Sequence, residues 1–235
     1  MNVKIFKSKV LEVKYISHNV KYLKFAVPKK FEFKPGQYLS LSYYSNGEKF
    51  RNPYSIASPP NDKKFVEFSI KLSKNSDSSN FIKNLKKGDS VEFLGPSGKF
   101  TIDKNSEKKD LVFISVGTGI TPLMSMISYL LKKGFKNKIT LLKGFRDENE
   151  ILYEKEFSQL QKKYKNFRFY NVLSRPKNKN FKCKGYVQNF LDKYILKNFQ
   201  GDFYICGLNE MVESVTKKLK KKGINKNKIF FEKYN

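Results

Sequence analysis

Val66, Phe68, Ile70 and Leu72 alternate with Glu67, Ser69 and Lys71, and Leu23, Phe25 and Val27 alternate with their neighbours in the same way. A period of two sends one set of side chains to a core and the other to water, which predicts half-buried strands. Up to about Ile102 such runs are short. Turn signals separate them: Pro35-Gly36, Asn46-Gly47, Pro59-Pro60-Asn61-Asp62, Lys87-Gly88-Asp89 and Gly95-Pro96-Ser97-Gly98. Short strands punctuated this regularly predict a small antiparallel β-barrel. One short helix is predicted around Ser79–Leu85.

From Leu111 the pattern changes. Apolar strands are predicted at Leu111–Val116, Ile139–Gly144, Phe167–Leu173, Asp202–Cys206 and Lys228–Glu232. Helical periodicity fills the gaps near Thr121–Lys132, Ile151–Lys163, Val187–Leu196 and Glu210–Lys222, with Gly134 and Gly223 where helix C-caps belong. Repeated βαβ units imply a parallel five-stranded α/β sheet with helices on both faces, and ligands bind such sheets at the carboxyl ends of the strands. The polar stretch Asp103–Asp110 reads as a linker, so the predicted domains are residues 1–104 and 105–235. There is no internal repeat.

Composition removes several classes of function. No apolar run reaches membrane-spanning length, and Met1–Lys7 has no signal-peptide core, so a cytoplasmic protein with no membrane span is expected. Two cysteines, Cys183 and Cys206, are too few for an intrinsic iron–sulfur cluster or a zinc ribbon, and the single histidine, His18, reads as a surface residue. No metal site is expected. The net charge of +27 comes from 48 basic residues, of which only Arg51, Arg146, Arg168 and Arg175 are arginine. The lysines are scattered along the chain. Asn, Ile, Phe and Tyr, which share A/T-rich codons with Lys, are abundant too, so compositional drift explains much of the excess. A field that attracts acidic partners is the functional consequence.

Two segments carry candidate chemistry. Ser115-Val116-Gly117-Thr118-Gly119-Ile120-Thr121-Pro122 follows a buried strand and opens a helix. Its glycines let backbone N–H groups approach a phosphate, and Pro122 suits a first helical turn. Taken alone, it could also be an ordinary tight βα turn. In the barrel half, Arg51-Asn52-Pro53-Tyr54-Ser55-Ile56-Ala57-Ser58 offers a flat aromatic face, a hydroxyl and a guanidinium fork. Its plain alternative is an edge strand with a proline bulge.

In order along the chain stand Phe33-Lys34-Pro35-Gly36-Gln37-Tyr38, Arg51…Tyr54-Ser55-Ile56-Ala57-Ser58, Gly95-Pro96-Ser97-Gly98-Lys99-Phe100, Val116–Pro122 and Tyr204-Ile205-Cys206-Gly207. Together they resemble the ferredoxin–NADP reductase family of flavoproteins over nearly the whole length. The resemblance implies that Tyr54 stacks on the isoalloxazine of FAD and Ser55 hydrogen-bonds near flavin N5. It further implies that Arg51 pairs with the FAD diphosphate, although the family pattern is Arg-x-Tyr-Ser and here two residues separate Arg51 from Tyr54. A bulge at Pro53 would absorb the extra residue. Ile70-Lys71-Leu72 resembles the next flavin segment, and Ser79, or its neighbour Ser78, the serine of a short helix against the diphosphate.

In the second half the resemblance assigns Gly117, Thr118, Gly119 and Pro122 to the NAD(P)H diphosphate and sets Cys206 against the nicotinamide. Cys183 lacks such support. Ser174-Arg175 and Lys184-Gly185-Tyr186-Val187-Gln188 resemble the 2′-phosphate and adenine segments of NADP-specific members, while NADH-using relatives also carry Gly-Tyr-Val there. The final segment resembles the Glu-x-Tyr end of plant-type members. Tyr234 would cover the flavin, Glu232 would stand near Ser55 and Cys206, and Asn235 would be a one-residue extension.

The expected function is hydride transfer between NADPH and FAD, with single electrons passing to or from a separate acidic carrier, ferredoxin or flavodoxin. NAD is the possible substitute cofactor, a monomer is the default, and no nucleic acid partner is expected. One alternative is the NADH-dependent reductase component of an oxygenase system. Another, from a different class, is a basic nucleic-acid-binding protein on a relict flavin fold.

Overall fold

The computed structural model describes residues 3–62, 64–194 and 199–234. The chain divides into two compact units. One comprises Met1–Thr101 with Met124–Tyr129, the other Ile102–Leu123 with Leu130–Asn235.

The first unit is built from β1 (Lys4–Ser17), β2 (Val20–Ala26), β3 (Tyr38–Ser45), β4 (Glu48–Ser55), β5 (Phe65–Lys71), α1 (Asp77–Asn84) and β6 (Ser90–Ser97). All pairings are antiparallel, in the order β4-β3-β6-β1-β2-β5, and the sheet curls as a half-barrel. The alternation explains the curl's inner face: Leu23 and Phe25 of β2, Val66, Phe68 and Ile70 of β5, and Leu39 and Leu41 of β3 are buried in one core. Phe93 is its hub, with Phe25 edge-on at 5.0 Å and Phe68 stacked at 5.6 Å. Asn46 and Gly47, at φ 50° and 82°, make the tight β3–β4 turn that an Asn-Gly pair favours.

Lys21 has the parity of Leu23 and Phe25, so it too points inward. Its ammonium donates to the carbonyls of Ile82, Lys83 and Leu85 at 2.9, 2.8 and 3.1 Å, closing the C-terminal end of α1. Carbonyls in the last turn lack the usual i+4 donor, Ile82 O accepting only a 3.3 Å bond from the C-cap Leu85 N, and a cation there also complements the helix dipole.

The second unit holds β7 (Leu111–Val116), α2 (Ile120–Lys132), β8 (Ile139–Phe145), α3 (Glu154–Lys163), β9 (Phe167–Leu173), α4 (Leu191–Tyr194), β10 (Asp202–Leu208), α5 (Asn209–Lys221) and β11 (Ile229–Tyr234). Its sheet is parallel, in the order β11-β10-β7-β8-β9. The chain moves outward in one direction from β7 and then returns to β10 on its other side. The topological switch point therefore lies between β7 and β10.

Three expectations change. The stretch Asp103–Asp110 is not a loose linker: it forms a 3₁₀ turn over Lys104–Lys108 docked on the second sheet. Ser106 Oγ donates to the buried Asp202 carboxylate at 2.7 Å and accepts from Tyr204 Oη at 2.8 Å, and Lys109 pairs with the same carboxylate at 3.0 Å. The helix expected from Ile151 begins at Glu154, because a 3₁₀ turn occupies Glu148–Glu150 and Tyr153 adopts a left-handed φ of 59°. The helix expected at Val187–Leu196 is a 3₁₀ turn over Val187–Phe190 running into α4, and its last two residues lie outside the described ones. Among the described residues no helix is long and apolar enough to cross a membrane.

Replacing Lys21 by methionine keeps the stem and removes the donor to three carbonyls. Urea denaturation should show a loss of about 2 kcal/mol, the scale of hydrogen bonds from a charged group. An unchanged midpoint would mean that water satisfies those carbonyls equally well.

Candidate functional site

In the first unit the site is built on the β3–β4 pair and the first turn of α1. The register runs unbroken, Leu39 opposite Tyr54, Ser40 opposite Pro53, Leu41 opposite Asn52 and Ser42 opposite Arg51. There is no bulge at Pro53. β4 is the outer strand of the sheet, where a proline's missing N–H is tolerated. Strict alternation then corrects the placement of Arg51. Phe50, Asn52 and Tyr54 share one face of β4, and Arg51 lies on the other. There Arg51 donates through Nε to Ser42 Oγ at 3.2 Å and pairs with Glu92 at 3.5 Å, in a rung that also holds Lys49. These cations and Ser42 keep the Glu92 carboxyl below the usual range, with the Lys49 hydrogen bond the largest influence.

Tyr54 is half-buried, and its hydroxyl shares hydrogen bonds with the side chains of Ser78 and Asn52. Burial outweighs them and raises its pKa. Ser78 and Ser79 are buried in the first turn of α1, but the N-cap is Ser76. Ser76 Oγ lies 3.0 Å from Ser78 Oγ and accepts from Ser79 N at 3.3 Å, while Ser79 Oγ accepts from Ser73 N at 3.0 Å. Ser78 thus faces the Tyr54 cluster, and the Ser79 hydroxyl is committed to its own loop. At the end of β5, Ile70 is buried, Lys71 is exposed and Leu72 packs against the core. Ser55, at the end of β4, is half-buried.

In the second unit the turn Gly117–Gly119 leads directly from β7 into α2, with Pro122 buried in the first turn and Thr118 half-buried. Gly117 has φ 53° and open space where a Cβ would stand, so its backbone is accessible. A Cβ on Gly119 would lie 2.3 Å from the carbonyl oxygen of Cys206. Such a turn suits a diphosphate, because backbone N–H groups and a helix N-terminus face outward together. At the far side of the sheet, the stretch after Phe181 returns to pair with β9. Leu173 N donates to Cys183 O at 3.0 Å and Gly185 N to Leu173 O at 2.8 Å, forming a parallel bridge between Leu173 and Lys184. That bridge brings Lys184 and the exposed Tyr186 to the Ser174-Arg175 turn, itself tied by Arg175 N to Arg146 O at 2.7 Å. Glu148 braces the following residues by accepting from Lys177 N and Asn178 N, bonds that hold its carboxyl below the usual range.

Cys206 is fully buried at the carboxyl end of β10, directly opposite Glu232 of β11, and Leu208 is opposite Tyr234. Burial pushes its thiol well above the ordinary range. The Glu232 carboxylate pushes in the same direction, and a hydrogen bond with the Tyr234 hydroxyl partly offsets them. Cys206, Glu232 and Tyr234 therefore form one cluster, while Ser55 belongs to the other unit. Asn235 lies outside the described residues. A shallow depression bounded by Glu107, Lys133 and Lys136 sits at the opposite end of the strands and holds none of these groups. Sequence reasoning missed Asn52 and Ser76. Counting back by two from Tyr54 would have found the first, and the Ser-x-x-Ser spacing before Asn80 the second.

A half-barrel presenting an aromatic face beside a serine-lined helix, and a parallel sheet with a glycine turn at its switch point, define a flavin- and nicotinamide-binding oxidoreductase. The comparisons agree. Residues 7–102 match the oxidoreductase FAD-binding domain and residues 113–217 the oxidoreductase NAD-binding domain. The chain is 31% identical over 218 residues to ferredoxin–NADP reductase B of Sorangium cellulosum, covering 89% of each. It is 30% identical to NADH-cytochrome b5 reductase 1 of Dictyostelium discoideum, over 92% of this chain and 77% of that one. It is also 30% identical to the reductase component DmpP of phenol 2-monooxygenase from Pseudomonas, over 93% of this chain but only 62% of that one. A ferredoxin–NADP+ reductase structure from Plasmodium falciparum superposes with a TM-score of 0.85 at 27% identity, covering 98% and 96%. The chain belongs to the ferredoxin–NADP reductase family. It is a flavoprotein oxidoreductase that binds FAD and NAD(P).

The raised thiol pKa of Cys206 has a direct consequence. The folded chain holds its proton where an unfolded cysteine, with a pKa of about 8.5, begins to release it. The associated stability is therefore present below that value and erodes as pH rises above it. At pH 8.5 iodoacetamide should leave Cys206 unlabelled in the folded protein and label it in urea, read by peptide mass spectrometry. Rapid labelling without urea would contradict the burial.

Proposed function

We propose that the chain carries hydride equivalents between NADPH and FAD and exchanges single electrons with a small acidic carrier, ferredoxin or flavodoxin. FAD, when bound, supplies the step the side chains cannot, since it takes up two electrons and can release them singly. In this reading residues 1–104 hold FAD and residues 105–235 hold the nicotinamide dinucleotide, in a cytoplasmic, monomeric protein.

Tyr54 gives the ring system a flat face, and Ser55 offers a hydroxyl at the end of the same strand. Ile70, Lys71 and Leu72 line the flavin segment, and Ser78 and Ser79 set the first turn of α1 against the diphosphate. Gly117, Thr118, Gly119 and Pro122 receive the second dinucleotide. Ser174, Arg175, Lys184 and Tyr186 receive its 2′-phosphate and adenine. Cys206, Glu232 and Tyr234 form a polar cluster at the nicotinamide end, in which burial and the neighbouring Glu232 carboxylate keep Cys206 a neutral thiol. The observation that carries the preference for NADPH is the bridge between Leu173 and Lys184, which gathers a serine, two cations and an exposed aromatic ring at one turn. A net charge of +27 favours an acidic partner.

The likeness to the phenol 2-monooxygenase reductase component favours a second reading, NADH oxidation feeding an oxygenase. Steady-state reduction of carriers with both nucleotides separates the two. Arg175→Ala should lower kcat/KM for NADPH roughly 10- to 100-fold, the scale of one charge-assisted contact, and for NADH by less than about 3-fold. Equal loss with both nucleotides would remove Arg175 from the 2′-phosphate. The rate with an acidic carrier should fall as salt rises from 10 to 300 mM, and a flat profile would argue against electrostatic docking.

A further inference from the structure

The face of β4 that carries Tyr54 carries no basic residue: its members are Glu48, Phe50, Asn52 and Tyr54. The nearest cation in sequence, Arg51, is turned to the opposite face and engaged by Glu92 and Ser42. On the Tyr54 side, hydrogen bonds run from Asn52 to the Tyr54 hydroxyl, on to Ser78 and then to Ser76 at the N-cap of α1. The carboxamide of Asn52 is thus connected to the helix turn where an anion would rest. The acid of that turn, Asp77, is held by Ser45 Oγ at 2.7 Å.

We infer that this chain holds the FAD diphosphate through neutral donors, with Asn52, Ser78 and the first-turn N–H groups of α1 in the place expected of an arginine, and that Arg51 is a rung of the sheet. The inference rests on the flavin reading above. A carboxamide offers two N–H donors and no charge, so it binds a diphosphate more weakly than a guanidinium fork and its contribution is little affected by salt. The arrangement leaves an unfilled opportunity for a cation at position 52.

The test uses the full chain stripped of flavin and titrated with FAD and, separately, riboflavin, following quenching of flavin fluorescence at 20 and 300 mM salt. Asn52→Arg and Asn52→Lys should tighten FAD about tenfold at low salt and steepen its salt dependence, and Asn52→Asp should weaken it by at least as much. Riboflavin, which has no phosphate, should respond less than twofold to each. Arg51→Ala and Glu92→Gln should lower the melting temperature yet leave FAD affinity within about twofold. Arg51→Lys, which retains a cation for Glu92, should restore stability. A loss of FAD affinity in Arg51→Ala that riboflavin does not share would overturn the inference and return the diphosphate to Arg51. So would an Asn52 series without the order Arg, Asn, Asp, or one in which riboflavin moves equally. Failure of the unaltered chain to take up any flavin would instead overturn the flavoprotein reading itself.

Discussion

The constraint on which the second unit's site depends is the meeting of two backbones where the Gly117–Gly119 turn abuts the end of β10. A Cβ on Gly119 would stand 2.3 Å from Cys206 O, and one on Gly207 would stand 2.7 Å from Val116 Cγ2. Neither contact is possible for a real side chain. Glycine at both places lets β7 and β10 stay paired to their carboxyl ends at the switch point, with Cys206 opposite Ser115. It is this closeness that sets the glycine turn beside a buried thiol, and the cluster of Cys206, Glu232 and Tyr234 inherits its position from it.

A chain so rich in lysine also uses lysine as internal mortar. Lys143, on β8, is fully buried among Phe145, Phe157 and Phe169, with its ammonium 3.0 Å from Leu152 O and 2.9 Å from Glu154. Desolvation lowers its pKa, and the Glu154 carboxylate opposes that. Its contacts fix the start of α3, which the left-handed Tyr153 leaves without a side-chain cap. Lys21 does the equivalent at the end of α1. A buried ammonium is tolerated only where its protons are satisfied, and Lys21 meets that condition with three main-chain carbonyls, Lys143 with Leu152 O and the Glu154 carboxylate.

Much of this was readable from residue order. The parity of Leu23, Phe25, Val66 and Phe68 located the barrel's inner face, and Gly-Thr-Gly after a largely apolar strand located the switch point. What escaped depended on neighbours distant in the chain. Lys21 and Lys143 are indistinguishable by type from 42 other lysines until the surrounding fold excludes water from them. Asp103–Asp110 reads as a linker because its anchors, Ser106 and Lys109, meet Asp202 and Tyr204 from nearly a hundred positions away. Arg51 fits the family pattern by residue type, whereas strand parity puts Asn52, not Arg51, on the Tyr54 face. The three-residue offset between Arg51 and Tyr54 already contained that answer.

The hydroxyl of Tyr54, tied at both Asn52 and Ser78, has a last consequence. The position of the ring's hydroxyl end is set during folding rather than upon encounter with a planar guest. Rotational freedom that such a guest would otherwise have to freeze is already gone, so preorganisation lowers the entropic barrier to association. Residence time would then be governed chiefly by how readily water re-enters between the two stacked surfaces.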